Sequence, residues 1–314
     1  MSDNNRSIRS LTSHLDRTGL LPLLNNDHVI ELMLNGDGWL WVEEFGRPMY
    51  RHSQVTPEDA SILIRSIAHY HGEIIDAENP VLECELPTDG SRFEGIVPPL
   101  TSQTTFTVRK KATRLFTLDE YLDVNTLTVT QLEVLRGAIS ARENMLIVGG
   151  TGSGKTTLAN AIIDAMVRHN EHDRIIILED TNEIQCAAQN SVIMRTSEKA
   201  GVSMGRLLRV TLRYRPDRIL VGEVRGGEAL DLLKAWNTGH PGGLATVHAN
   251  SAALGLERIE QCIEEVATTV NRKVIAATIN WVVFIKKTAD GRKIEELARV
   301  TGCDGHNYQL QYFH

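Results

Sequence analysis

The chain is 314 residues long, 42% hydrophobic, 23% charged and only 5% aromatic. That balance excludes the disordered and fibrous classes, and about 100 to 200 residues per domain makes two domains the expectation. The formal net charge of −7 argues against a sequence-independent nucleic-acid binder, whose footprint is strongly basic, and no direct sequence-specific nucleic-acid contact is expected.

The amino terminus, MSDNNRSIRSLTSHLDRTGLLPLL, lacks the apolar core of about 7 to 15 residues that marks a secretory signal. No segment reaches the roughly 18 consecutive apolar residues of a spanning helix, so a cytoplasmic location is expected. Ile8, Leu11 and Leu15 are apolar positions that either pack on the domain or touch a membrane surface. From Val29 to Arg109, short alternating runs (VIELML, WLWVEEF, PVLECEL, SRFEGIV) separated by Asn-Gly and Asp-Gly turns predict hairpins. Between them PEDASILIRSIAHYHG predicts a helix from Pro57, with Ile62, Ile67 and Tyr70 near one face. An α+β domain over 1–112 and a linker over 113–128 follow from this pattern.

Over 129–314 the pattern changes. MLIVG, RIIIL, RILVG, LATV and WVVFI are continuous apolar runs alternating with helical stretches, the mark of buried parallel strands in an α/β domain, and the tail ELARVTGCDGHNYQLQYF predicts an antiparallel hairpin. Four cysteines (Cys84, Cys186, Cys262, Cys303) lie far apart without a CxxC pair, which points to neither a zinc site nor a disulfide framework.

Between the strand MLIV and an amphipathic stretch lies Gly149-Gly150-Thr151-Gly152-Ser153-Gly154-Lys155-Thr156-Thr157, a P-loop pattern in the context the motif requires. Its glycines let backbone N–H groups surround phosphate at a helix N-terminus. Lys155 would neutralise the β and γ phosphates, and the Thr156 hydroxyl would hold Mg²⁺. Glu179, Asp180 and Glu183 follow one buried strand and Glu223 another, where α/β sheets collect ligands. Gly222 occupies the strand end where many such enzymes carry a metal-holding aspartate, so Glu223 is left to act on the attacking water. His240 and His248 bracket a short strand, and a neutral imidazole, or Asn250, could report on the γ-phosphate; two histidines without a third ligand make a poor metal site. Arg206, Arg209 and Arg213 repeat at i, i+3 and i+7 as either a solvated helix face or phosphate-reaching arginines acting in trans.

Taken in order, GGTGSGKTT, RIIILEDTNEIQ, LRYRPDRILVGEVRGGEALDLLKAWNTGH and GGLATVHANS resemble the Walker A, Asp, Walker B and His boxes of the secretion traffic ATPases, with NTGHPGGLATVHANSA most like the conjugative type IV branch. The resemblance implies a RecA-like P-loop NTPase domain with a smaller α+β amino-terminal domain, ATP and Mg²⁺ as ligands, and a homo-hexameric ring that works with other type IV secretion components. It further implies an amino-terminal domain that moves over the nucleotide, with Arg92 and Arg109 as phosphate contacts, catalytic roles for Glu179 and Glu223, and His248 as the γ-phosphate sensor. Peripheral association with the inner membrane is a family implication. Two alternatives stand beside this reading: a RecA-like nucleic-acid translocase, and a nucleotide-gated scaffold with negligible turnover.

Overall fold

The computed structural model of the chain describes residues 2–44, 47–111, 115–197, 199–288 and 291–314, the side chains of residues 2–5 excepted. The expected domain boundary at 112/113 lies outside these residues. The chain divides into two compact units, Met1–Arg114 and Leu115–His314.

The first unit runs α1 (Ser2–Arg17), α2 (Leu20–Leu24), β1 (Val29–Leu34), β2 (Trp39–Glu44), β3 (Tyr50–Gln54), α3 (Pro57–Tyr70), β4 (Val81–Glu85), β5 (Arg92–Ile96) and β6 (Thr105–Arg109). Among the described residues its strands form one antiparallel sheet in the order β3-β2-β1-β6-β5-β4. One face of that sheet is apolar: Leu32, Leu40, Val42, Phe93, Phe106 and Val108 point into a core shared with the helices. Thr56 caps α3 by accepting the Asp59 N–H, and Pro57 needs no N–H partner in the first turn. The buried face of α3 is Ala60, Leu63, Ile64, Ile67 and Ala68. Ile62 and Tyr70 are only half buried, so the sequence reading had the helix phase correct at Ile67 alone. Leu11 and Leu15, one turn apart on α1, are fully buried in the same core, which decides between packing and membrane contact for those two side chains.

In the second unit the order is α4 (Leu118–Asp123), α5 (Val129–Ser140), β7 (Met145–Val148), α6 (Lys155–His169), β8 (Ile175–Glu179), β9 (Ser191–Arg195), α7 (Met204–Thr211) and β10 (Arg218–Val221). It continues with α8 (Glu228–Asn237), β11 (Leu244–Val247), α9 (Ala252–Glu264), α10 (Arg272–Thr278), β12 (Trp281–Thr288), β13 (Gly291–Cys303) and β14 (Tyr308–Phe313). Much of the stretch read as a linker is therefore ordered structure. Thr117 and Glu120 close a capping box on α4, and its Leu118 and Tyr121 are buried with α5 and α6.

The described strands of this unit form a sheet in the order β14-β13-β12-β7-β11-β10-β8-β9, parallel from β12 to β9 and antiparallel at the β13 and β14 edge. Strand β7 is buried on both faces: Met145 and Ile147 join the core beneath α5 and α6, while Leu146 and Val148 join the core beneath α8 and α9. Two-sided burial explains why these strands read as unbroken apolar runs.

At the amino-terminal ends of the strands lies a buried charge cluster. Arg218, fully buried, donates from Nε to Asp173 at 2.7 Å, from Nη1 to the Gly242 carbonyl at 3.0 Å and from Nη2 to the Ile139 carbonyl at 3.3 Å. Arg142 donates to the same carboxylate at 3.0 Å. Burial pushes the Asp173 carboxyl up, but the two guanidinium groups outweigh it and hold it below the usual carboxylate range. The stability this gives is complete above the unfolded-state value near ~4 and is lost as the pH falls through the lower folded-state value. Asp173→Asn, which leaves a buried arginine short of its counter-charge, is expected to cost about 3 kcal/mol at neutral pH. Urea unfolding of both proteins at pH 7 and near pH 3 checks this, with the gap expected to narrow in acid.

Candidate nucleotide site

The cradle begins where β7 ends. Gly149 has no room for a side chain, because a Cβ there would meet the Ile285 carbonyl and Ser153 Oγ. Gly152 and Gly154 hold φ of 68° and 97°, values that favour glycine, and Gly154 is the N-cap of α6. The first N–H groups of α6 have no partner within their own helix and open onto the loop, a ready anion site.

Lys155 is almost fully buried, and its ammonium donates to the Gly149 and Gly150 carbonyls, each at 2.9 Å. It also lies 3.3 Å from His248 Nδ1. The ammonium is nearly as close to His248 Nε2, at 3.4 Å, and that same nitrogen is 3.0 Å from Glu223 Oε1. Glu223 accepts from Arg225 at 2.7 Å, and Arg225 reaches on to Asp180 at 3.5 Å. Strand ends β7, β11 and β10 thus bring Lys155, His248 and Glu223 into one continuous polar chain. Burial raises the Glu223 carboxyl, yet Arg225, His248 and Lys155 together hold it below its ordinary value, so it is ionised at neutral pH.

Glu179 behaves in the opposite way. It is 2% exposed at the end of β8, and burial raises its carboxyl despite the Ile184 and Glu183 N–H groups that donate to it at 2.9 and 3.0 Å and the Arg195 side chain at 3.4 Å. Two carboxylates with environments that push them apart are suited to different work. Gly222 has a physical reason here, since a side chain at that position would crowd Glu179 Cβ at 3.2 Å.

Thr156 Oγ1 donates to Glu183 at 3.0 Å, and Asn160, buried one turn further along α6, clasps the same loop by bonds to the Glu183 carbonyl and the Gln185 N–H. Asp180 accepts from Thr196 at 2.8 Å. A Mg²⁺ ion fits this donor set: the Thr156 hydroxyl stands at the mouth of the cradle beside a carboxylate, and among the described residues no group of His, Cys, Asp and Glu forms an all-protein cage. Mg²⁺ keeps several waters and is commonly held through one or two protein oxygens and substrate phosphates.

The remaining residues singled out in the sequence lie elsewhere. His240 precedes β11 by several residues, at the opposite end of that strand from His248, where its ring meets the Pro216 carbonyl at 3.1 Å. Arg206 and Arg209 are exposed on α7, and Arg209 pairs with Asp231 of α8 at 2.5 Å. Helix α7 ends at Thr211, so Arg213 lies in the following turn rather than on the shared helical face expected of it. Arg92 and Arg109 belong to the first unit and are direct cross-strand partners on the sheet face opposite its core. Glu31 faces Arg109 on the next strand, and burial raises its carboxyl against the pull of Arg109 and Arg92. Like charges directly opposed across strands are unfavourable, and here Glu31 beside Arg109 and Glu94, 3.8 Å from Arg92, supply balancing carboxylates. Arg225, Asn160 and Arg195 were not picked out from the sequence.

Together the sheet order and the loop define a RecA-like P-loop nucleotide-binding fold accompanied by a smaller α+β unit. The chain belongs to the type II/IV secretion system protein family, whose model matches residues 17–309. It is 45% identical to the conjugal transfer protein TrbB of Rhizobium radiobacter over 308 residues, covering 98% of this chain and 94% of that one. It is 32% identical to the type IV secretion system protein PtlH of Bordetella pertussis, with coverage of 89% and 91%. The ATPase DotB of Legionella pneumophila shares the fold with a TM-score of 0.63 at 22% identity, over 89% of this chain and 78% of that one. The pilus retraction motor PilT with bound ADP does so with a TM-score of 0.63 at 22% identity, over 91% and 80%. The resemblance to secretion traffic ATPases read from the sequence is borne out, as is the fold class.

Removing the guanidinium that holds Glu223 tests the electrostatics directly. In Arg225→Ala the Glu223 carboxyl is expected to titrate at higher pH than in the wild type, which carbon-13 NMR of labelled carboxyl groups would follow.

Proposed function

We propose that the chain is a Mg²⁺-dependent ATPase that powers conjugative type IV secretion, through pilus assembly or substrate transfer. The observation that carries this is the Lys155–His248–Glu223 chain at the end of the P-loop. A terminal phosphate drawn to the α6 N-terminus would meet Lys155 first and His248 next, with an ionised Glu223 beyond them to orient and deprotonate water. Here His248 couples the occupant of the cradle to the carboxylate, since it borders both Lys155 and Glu223. Thr156 would hold Mg²⁺, which when bound neutralises charge on the β and γ phosphates. Glu179 serves to set the 180–185 loop by accepting two of its N–H groups.

Arg92 and Arg109, cross-strand partners on the sheet face opposite the core of the first unit, are our assignment for additional phosphate contacts in the assembled enzyme, on the strength of the family resemblance. The similarity to TrbB and PtlH supports placing this activity beside other type IV secretion components, and a homo-hexameric assembly is part of the proposal by the family resemblance alone. No helix among the described residues is long and apolar enough to cross a membrane, and work on the cytoplasmic face of the inner membrane is part of the proposal.

Lys155→Ala is expected to abolish turnover, and Glu223→Gln to bind ATP yet turn it over at most about one hundredth as fast, the scale of a lost general base. ATP hydrolysis and equilibrium binding measured side by side decide; undiminished turnover in both variants would remove the assignment. Arg92→Ala and Arg109→Ala should each lower turnover per subunit while the first unit stays folded. Turnover that rises with protein concentration would mark composite sites, whereas a flat rate would not.

A further inference from the structure

On one side of β7 lies β11, then β10, and these bring His248 and Glu223 to Lys155. On the other side lies β12, parallel and in register with β7 up to Phe284 opposite Val148. Its Ile285 carbonyl closes against Gly149, and the antiparallel return strand β13 carries Arg292 back to the loop. The aliphatic stem of Arg292 lies over Gly154, where a Cβ would come within 2.7 Å of Arg292 Cδ, and Nη2 lies 3.5 Å from the Gly152 carbonyl. Two residues on, Ile294 is pinned from both directions: its N–H donates to the Thr126 carbonyl at 2.8 Å and its own carbonyl accepts from Gln131 at 3.3 Å. Arg292 is thus placed at the rim of the cradle by the start of β13, on the side of β7 away from Glu223.

A nucleoside triphosphate is a linear chain. With its terminal phosphate toward Lys155, His248 and Glu223, its nucleoside must leave past the opposite wall, over Gly152, Gly154 and Arg292. We propose that Arg292 forms the nucleoside platform of this site, its planar guanidinium lying against the face of the base while its stem covers the P-loop. A planar, delocalised cation suits this task as an ammonium does not. The inference rests on the nucleotide reading of the P-loop and adds to it a residue that contacts the base rather than the phosphates.

The test compares two probes, ATP and inorganic tripolyphosphate, each titrated calorimetrically with Mg²⁺ into wild type, Arg292→Ala and Arg292→Lys. The expected result is ATP binding weakened about tenfold in Arg292→Ala, the scale of a partly desolvated cation–π contact, with tripolyphosphate binding unchanged. Arg292→Lys, which keeps the charge and most of the stem over Gly154, should remain weakened toward ATP; it carries the comparison if the alanine variant fails to fold. Equal weakening toward both probes, unchanged ATP binding, or full recovery in the lysine variant would overturn the platform. Failure of the wild type to bind either probe would instead overturn the nucleotide reading itself.

Discussion

A buried ammonium group is the constraint around which the second unit is organised. Lys155 is taken almost wholly out of water, and isolated buried charge is costly unless surrounded by acceptors. Two backbone carbonyls of the loop supply them, with the His248 ring 3.3 Å away. The loop can turn its carbonyls inward because Gly152 and Gly154 adopt left-handed backbone angles, and because Gly149 leaves space for the Ile285 carbonyl. The same cation, with Arg225 and His248, keeps Glu223 ionised in a half-buried position. Backbone geometry, burial and the charge state of the proposed base are thus one problem with one solution.

The sheet supplies the positions and the opposite edge supplies the rigidity. Strands β7, β8, β10 and β11 are parallel, so their carboxyl ends converge on the cradle and their amino ends converge on the Arg218–Asp173–Arg142 cluster. Arg218 bonds to segments before β8, before β11 and at the end of α5. A charge cluster buried there fixes the strand starts relative to one another.

What could be read from the sequence was what local chemistry determines. The P-loop was legible because glycine, lysine and threonine at fixed offsets have a backbone reason to be there, and the buried strands because two-sided burial leaves an unbroken apolar run. The linker reading failed at α4, where polar residues such as Thr117 and Glu120 are capping groups rather than signs of solvation. The phase of α3 slipped because its buried stripe, Leu63 and Ile64 with Ile67, is chosen by the sheet beneath it. Arg225 and Asn160 were illegible for a deeper reason. Their partners, Glu223 with Asp180 and the Glu183–Gln185 backbone, come together only once separate strands and helices are assembled. Arginine spacing over 206–213 suggested a continuous face, and the early end of α7 breaks it.

The burial of Leu11 and Leu15 has a consequence for how shortened or tagged forms of this chain should be interpreted. Chain ends are ordinarily the places most tolerant of trimming, and an amphipathic leading helix invites interpretation as an address label. Here that helix contributes two leucines to the interior of the unit that bears Arg92 and Arg109. Deleting it would open a hydrophobic wound beneath the sheet. A loss of membrane recovery or of secretion after such a deletion would therefore be the phenotype of a misfolded unit, and would say nothing about delivery to a cellular address.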